Sequence, residues 1–231
     1  ERVAHHVGGA GHGGAPMRRA RLFVGVGALA LLWARPAVAQ RAIDLSGGAS
    51  VSSMGLERVG TTTRTLTGPV LGAEGRVGFK RFELRGRYLE GSLAPGSGVF
   101  GGTEDLADLR VLFGAAVGAG FTVSVGPHLR SFVTPGGTAN WKRIEANVRL
   151  DRTLVPRLAR AELELAYAVS ANANVLGGGT SATGANLGVV VALPTWPVAV
   201  RIAYSADRAT YANGATEFLD GLEIGLRLRR P

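Results

Sequence analysis

The segment KRFELRGRYLEG, Lys80 to Gly91, has two opposed faces: Phe82, Leu84, Gly86 and Tyr88 are apolar or small, and Arg81, Glu83, Arg85 and Arg87 between them are charged. Side chains alternate across a strand, so a period of two puts oil on one side and ions on the other. The pattern returns in ARAELELAYAVS, where Glu162 and Glu164 interrupt Ala161, Leu163, Leu165 and Tyr167. It returns again in KRIEANVRLD, PVAVRIAYSA and FLDGLEIGLRLRR, and no 3.6-residue period competes with it after residue 40. Ten such segments are predicted, at about 42–53, 65–78, 80–91, 104–118, 121–133, 139–151, 159–171, 183–193, 197–207 and 217–229. Each is long enough to cross a bilayer as a tilted strand, which takes about 9–11 residues.

The links supply a second pattern. GLERVGTTTR, SLAPGSGVFGGT, ANANVLGGGTSAT and DRATYANGAT are long, while Phe79-Lys80, Gly118-Ala119-Gly120 and PTWP are tight; RTLVPRL and PGGT fit only loosely. Alternation of tight and long links is expected of a transmembrane barrel, with the tight turns on the periplasmic side. Aromatic residues also gather near strand ends: Phe79, Phe82, Phe121 and Trp196 by the tight turns, and Tyr88, Trp141, Tyr167, Tyr204 and Phe218 toward the other rim. Girdles at both interfaces are expected of a membrane barrel.

Ahead of these strands, MRRARLFVGVGALALLWARPAVAQ combines a basic start, an apolar run from Leu22 to Ala34 and the small-x-small triplet Ala37-Val38-Ala39. Those three parts describe a secretory signal peptide over 17–39. The apolar run is shorter than the roughly 20 residues of a spanning helix. Residues 1–16, rich in Gly and His, read as an unstructured upstream extension, and 40–231 as a single barrel domain. There is no cysteine, so an exported chain of this kind must rely on burial and backbone hydrogen bonds.

The formal charge is +9, which falls to about +5 without the five arginines and one glutamate of residues 1–39. The remaining arginines are spread singly along alternating segments, often beside glutamates, and only Lys80 and Lys142 are lysines. That is neither the basic arm nor the basic helix of a nucleic-acid binder. Exposed faces of soluble β proteins commonly carry Lys, so arginine–glutamate alternation points to a closed interior.

Taken together, residues 40–231 resemble the small bacterial outer-membrane β-barrels, a likeness of architecture and not of a diagnostic motif. The resemblance implies an all-β, antiparallel up-and-down transmembrane barrel of about ten strands, with eight or twelve as alternatives. It implies a bilayer with lipopolysaccharide as surroundings, and the barrel-assembly machinery as a partner. The chain departs from it in ending LRLRRP, where such barrels often carry an aromatic residue that helps assembly.

In such a barrel the inward set is Glu74, Arg76, Glu83, Arg85, Arg87, Arg110, His128, Arg130, Arg143, Glu145, Arg149, Glu162, Glu164, Arg201, Glu223 and Arg227. A ten-stranded barrel is only slightly larger than one that side chains fill. Guanidinium groups bridging carboxylates are therefore expected to plug it. The alternative is a narrow anion-selective pore, since arginines outnumber glutamates in the set. Function is then structural, adhesive or pore-forming. The alternatives are a barrel enzyme acting on envelope lipid or peptide, and a soluble periplasmic barrel holding a small apolar ligand.

No catalytic, metal or cofactor site is expected. The outer-membrane proteases pair acids with a histidine at the outer rim, but the acids Asp105, Asp108, Asp207 and Asp220 have no histidine predicted beside them. Lipid A deacylases need a histidine and a serine two apart on the lipid side; here Arg130 follows His128 at that spacing, and His128 faces inward. Glu162 and Glu164, about 7 Å apart on one strand face, read as ion-paired. LGGGTSATGAN lacks the Gly-Lys-Ser/Thr ending of a phosphate loop, and TEDLADL matches no calcium loop.

Overall fold

The computed structural model describes residues 43–96, 101–134, 136–174 and 178–228; the predicted leader, the extension before it and the last three residues lie outside these. Ten antiparallel strands follow one another around a closed barrel, each beside its sequence neighbours, with β1 against β10 closing the ring. They are β1 Ile43–Val59, β2 Thr63–Phe79, β3 Phe82–Pro95, β4 Glu104–Gly118, β5 Phe121–Thr134, β6 Gly137–Val155, β7 Ala159–Ala173, β8 Gly179–Ala192, β9 Val198–Tyr211 and β10 Thr216–Leu228. Closure pairs every strand on both sides and removes the exposed edges of an open sheet.

One end of the barrel carries the connections at 80–81, 119–120, 156–158 and 193–197, and is called the turn end here; the other is the loop end. The turn between Gly118 and Phe121 has two central residues, Ala119 at φ 51° and Gly120 at φ 82°. Positive φ at both matches the twist of the flanking strands. Glycine suits the second position also because a Cβ there would lie 2.3 Å from the Asp151 carbonyl oxygen.

The strands run further toward the loop end than the sequence pattern predicts. β1 continues to Val59 and β2 starts at Thr63, so most of GLERVGTTTR is strand and its link shrinks to residues 60–62. β3, β7 and β9 likewise extend to Pro95, Ala173 and Tyr211. The expected contrast between tight and long connections is correspondingly weakened: the loop-end links run from the two residues 135–136 to the eight of 96–103.

The reason is a reversal of polarity along the barrel axis. In the turn-end half, outward positions are apolar and exposed, such as Leu84, Phe113, Val125, Ile202 and Ile224, while inward positions hold Arg85, Arg149, Arg201 and Glu223. Toward the loop end the alternation inverts. On β3 the inward residues become Leu89 and Leu93, and the outward ones Glu90 and Ser92. On β1 Leu56 points inward and Glu57 outward; on β5 Phe132 is inward and Ser131 outward. Met54, Leu56, Leu66, Val70, Leu89, Leu93, Leu106, Phe132 and Leu219 form one buried cluster inside this half. Trp141, Tyr211 and four alanines form another, with Ala173 brought inward past a bulge on β7 opposite Ile144 and Glu145.

The apolar outer belt is short compared with the barrel. On β4 it spans Leu109 to Val117, about 20 Å of height at 3.3 Å per residue and a tilt near 40°. Strands of 14 or 15 residues stand about 35 Å tall at the same tilt, leaving about 15 Å beyond the belt. Phe79, Phe82, Phe121 and Trp196 ring the belt at the turn end. At its upper border the Tyr88 hydroxyl donates to Glu90 over 2.8 Å, and that of Tyr204 to Asp220 over 2.6 Å. Each ring lies over the belt and its hydroxyl meets the first acid above it, as expected at a boundary between oil and water. Trp141, predicted for this girdle, is instead inside: its indole is 1% exposed, packs against Tyr211 with ring centroids 4.7 Å apart and planes tilted by 49°, and donates to the Tyr211 hydroxyl. Arg81, predicted inward, sits in the exposed two-residue turn with its guanidinium over the Phe82 ring.

Candidate functional site

All sixteen residues selected from the sequence point into the barrel, because each keeps the parity of its strand's inward face. At the turn end Glu83 accepts from Arg149 at 3.0 Å and lies 2.8 Å from Arg76. Arg227 bridges Glu74 and Glu162, and Arg201 bridges Glu162 and Glu223, which also holds Arg87. One level higher, Glu164 takes Arg85 and Arg110, with Asn147 donating to it over 2.8 Å. Arg110 continues to Glu145 at 3.1 Å.

The mid-barrel layer centres on His128, which is fully buried. Its Nδ1 lies 2.5 Å from Glu145 and its Nε2 2.8 Å from Asp108, so both ring nitrogens face carboxylates. The expectation that no histidine accompanies the acids Asp105, Asp108, Asp207 and Asp220 is thus corrected for Asp108. β4 and β5 pair with Arg110 opposite His128, which brings Asp108, one inward position away, within reach of the ring. Arg130 donates to both Asp108 (2.7 Å) and Asp207 (2.9 Å), and Arg143 donates to Asp207 (3.0 Å). His128, Glu145 and Asp207 bring ligand-type atoms within 4.8 Å of one another, a spacing suited to a cation. The Asp207 oxygens are already occupied by Arg130 and Arg143, so guanidinium supplies the positive charge there.

Several ion-paired inward residues lie outside the predicted inward set, among them Arg64, 2.8 Å from Glu104. Arg58 donates to Glu104 (2.6 Å) and Glu217 (2.9 Å) under the loop-end rim, and Asp108 and Asp207 complete the middle layer. These residues lie past the polarity reversal or beside it, where apolar-out alternation no longer marks the inward face. Their addition changes the charge balance. The sixteen hold nine arginines and six glutamates; with Arg58, Arg64, Glu104, Asp108, Asp207 and Glu217, eleven guanidinium groups meet ten carboxylates, and each has at least one ion pair. The arginine excess that suggested an anion-selective pore falls from three to one over these residues.

The remaining acids of TEDLADL diverge. Glu104 is buried inside, Asp105 faces outward beside Ser92, and Asp108 faces the histidine. Glu162 and Glu164 are each held by at least two arginines.

Within the turn-end part of the network, a cavity of about 360 Å³ opens at the turn end and reaches up to Arg110 and Glu164. Above it the lumen narrows to a space of about 40 Å³ that shares Arg87, Arg110, Glu164 and Asn186 with the cavity and reaches Met54, Leu89 and Leu219, beside the histidine layer; the two apolar clusters pack the loop-end half.

A closed up-and-down antiparallel barrel, with an apolar belt outside and ion pairs within, is the architecture of the small outer-membrane β-barrels. No protein-family model matches the chain, and no curated protein matches its sequence. Among solved structures it is similar to the translocator domain of the autotransporter NalP from Neisseria meningitidis, at 13% identity and a TM-score of 0.45, over 80% of this chain and 88% of that one. It is also similar to Neisserial surface protein A, at 11% identity and a TM-score of 0.38, over 81% of this chain and 99% of that one. Ail, the attachment invasion locus protein of Yersinia pestis, is 8% identical with a TM-score of 0.35, over 81% of this chain and 99% of that one.

Proposed function

We propose that this chain is a bacterial outer-membrane barrel that spans the bilayer with its turn-end half, holds its loop-end half as a rigid turret in water, and does not conduct. The polarity reversal carries this reading. Apolar side chains outside and charges inside suit hydrocarbon around the barrel, whereas Leu, Phe and Trp inside with Glu, Asp, Ser and Thr outside suit water. The surroundings are then a lipid bilayer with lipopolysaccharide facing the upper border, reached through the barrel-assembly machinery.

The role is structural or adhesive, with the turret presenting the loop-end connections away from the membrane. The chain is not an enzyme on this reading: buried His128 has both ring nitrogens facing carboxylates, which leaves no nitrogen to act as a base on a substrate. A narrow anion pore is disfavoured by the near balance of inward charges and by the apolar clusters toward the loop end.

Planar-bilayer recording with purified protein tests the reading. Silence at voltages that open porins is the expected result, and steady single-channel steps refute a closed lumen. The variant Leu93→Gly with Phe132→Gly thins the apolar fill, and stays silent if the ion-paired layer seals the lumen by itself.

A further inference from the structure

The cavity at the turn end has no part in closing the lumen. It lies inside the apolar belt, narrows at its upper end to a space of about 40 Å³, and has the size of a small-ligand site, for which about 300–1,000 Å³ is typical. Nine arginines line it against five carboxylates, Asp44, Glu74, Asp151, Glu162 and Glu164. The overall charge balance is restored partly by Glu83 and Glu223, which answer Arg76 and Arg87 from behind the lining and are 5% and 3% exposed. The face presented to the cavity is therefore more positive than the network as a whole.

Several of these guanidinium groups have donors to spare. A guanidinium carries five N–H donors. Arg76 pairs with Glu83 alone, Arg87 with Glu223 alone and Arg160 with Glu162 alone among the described residues, the closest atoms being Nε, Nη2 and Nη2. Arg157, in the 156–158 turn, has no ion pair among the described residues. These four line the same cavity from β2, β3, β7 and the β6–β7 turn. Walls of low dielectric concentrate the field of such a cluster.

We propose that this vestibule is a binding site for a small polyvalent oxyanion, one carrying two or more carboxylate or phosphate groups. Two or more anionic groups can engage arginines on different strands at once, with the planar, charge-assisted geometry that guanidinium gives to carboxylate and phosphate. A monovalent anion gains only one such contact and competes poorly with chloride. The site is read at the turn end alone, so it stands or falls separately from the closed lumen: bilayer recording tests the second, and binding tests the first.

Isothermal titration of the detergent-solubilised protein with citrate, at constant ionic strength and with acetate as the monovalent probe, decides the matter. The expected result is saturable one-to-one binding of citrate, at least about tenfold tighter than acetate. Arg157→Gln, at an exposed position without an ion pair among the described residues, weakens citrate about five- to tenfold with the melting temperature unchanged, and adding Arg76→Gln weakens it further. Lys142→Gln, on the outer face near the loop end, leaves it unaltered. Absence of saturable heat, equal affinity for acetate, or a double variant that binds citrate like the parent chain overturns the proposal.

Discussion

Replacing Ile224 by Arg separates a barrel in hydrocarbon from one in water. Ile224 lies on the outward face of β10, 56% exposed, with Val51 on β1 and Ile202 on β9 in register beside it, each more than half exposed. Leu222, Leu226 and Leu228 continue the belt on either side along the strand. An arginine on the lipid face costs about 2–4 kcal/mol near the bilayer midplane and about 0–1 kcal/mol near an interface. At about 1.4 kcal/mol per tenfold, the midplane cost corresponds to about a 30- to 700-fold loss in the folding equilibrium. Thr67→Arg provides the comparison: it is outward and exposed on β2, but above the reversal, and should stay within about 0.5 kcal/mol of the parent chain. Urea unfolding in phospholipid vesicles, followed through the fluorescence of Trp141 and Trp196, reads both values. Were the barrel soluble, Ile224→Arg would replace an exposed apolar group by a charged one at little cost. A change under about 0.5 kcal/mol at Ile224 therefore refutes the bilayer assignment.

Two further outcomes concern the interior. Glu164→Ala leaves Arg85 without its carboxylate and Arg110 with only Glu145, so it should cost about 3–5 kcal/mol in detergent unfolding. Adding Arg85→Met should recover part of that loss, because the stranded charge leaves with it; no recovery means that Arg85 and Glu164 are not coupled. Trp141→Ala removes a fully buried ring and its bond to Tyr211, and should cost about 3–5 kcal/mol. A loss below 1 kcal/mol would place Trp141 outside, in the girdle.

Much of the barrel was legible because its turn-end half obeys one rule. The alternation around Phe82 to Tyr88, and around Ala161 to Tyr167, names strand, face and inward charges together, so strand number and the inward set could be read from parity. What was not legible follows from the same rule. Past Ser53, Tyr88 and Leu129 the period of two persists, but its phase inverts, and Leu56-Glu57-Arg58 reads as a polar link when apolar residues are sought only on the outer face. Arg58, Glu104 and Glu217 were lost there, and Trp141 was assigned to the wrong side. Asp108 carried the inward parity of β4 yet was passed over, because its partner His128 is on the next strand and only their register brings the two together.

Because the chain has no native cysteine, single nitroxide labels can be placed on it without background. Leu84→Cys and Ser92→Cys put the label on the same outward face of β3, eight residues apart on either side of the reversal. In reconstituted bilayers, collision with oxygen reports hydrocarbon, and collision with a water-soluble nickel chelate reports water. The label at position 84 should favour oxygen and the label at position 92 the nickel chelate. Identical accessibility at the two positions would contradict the account.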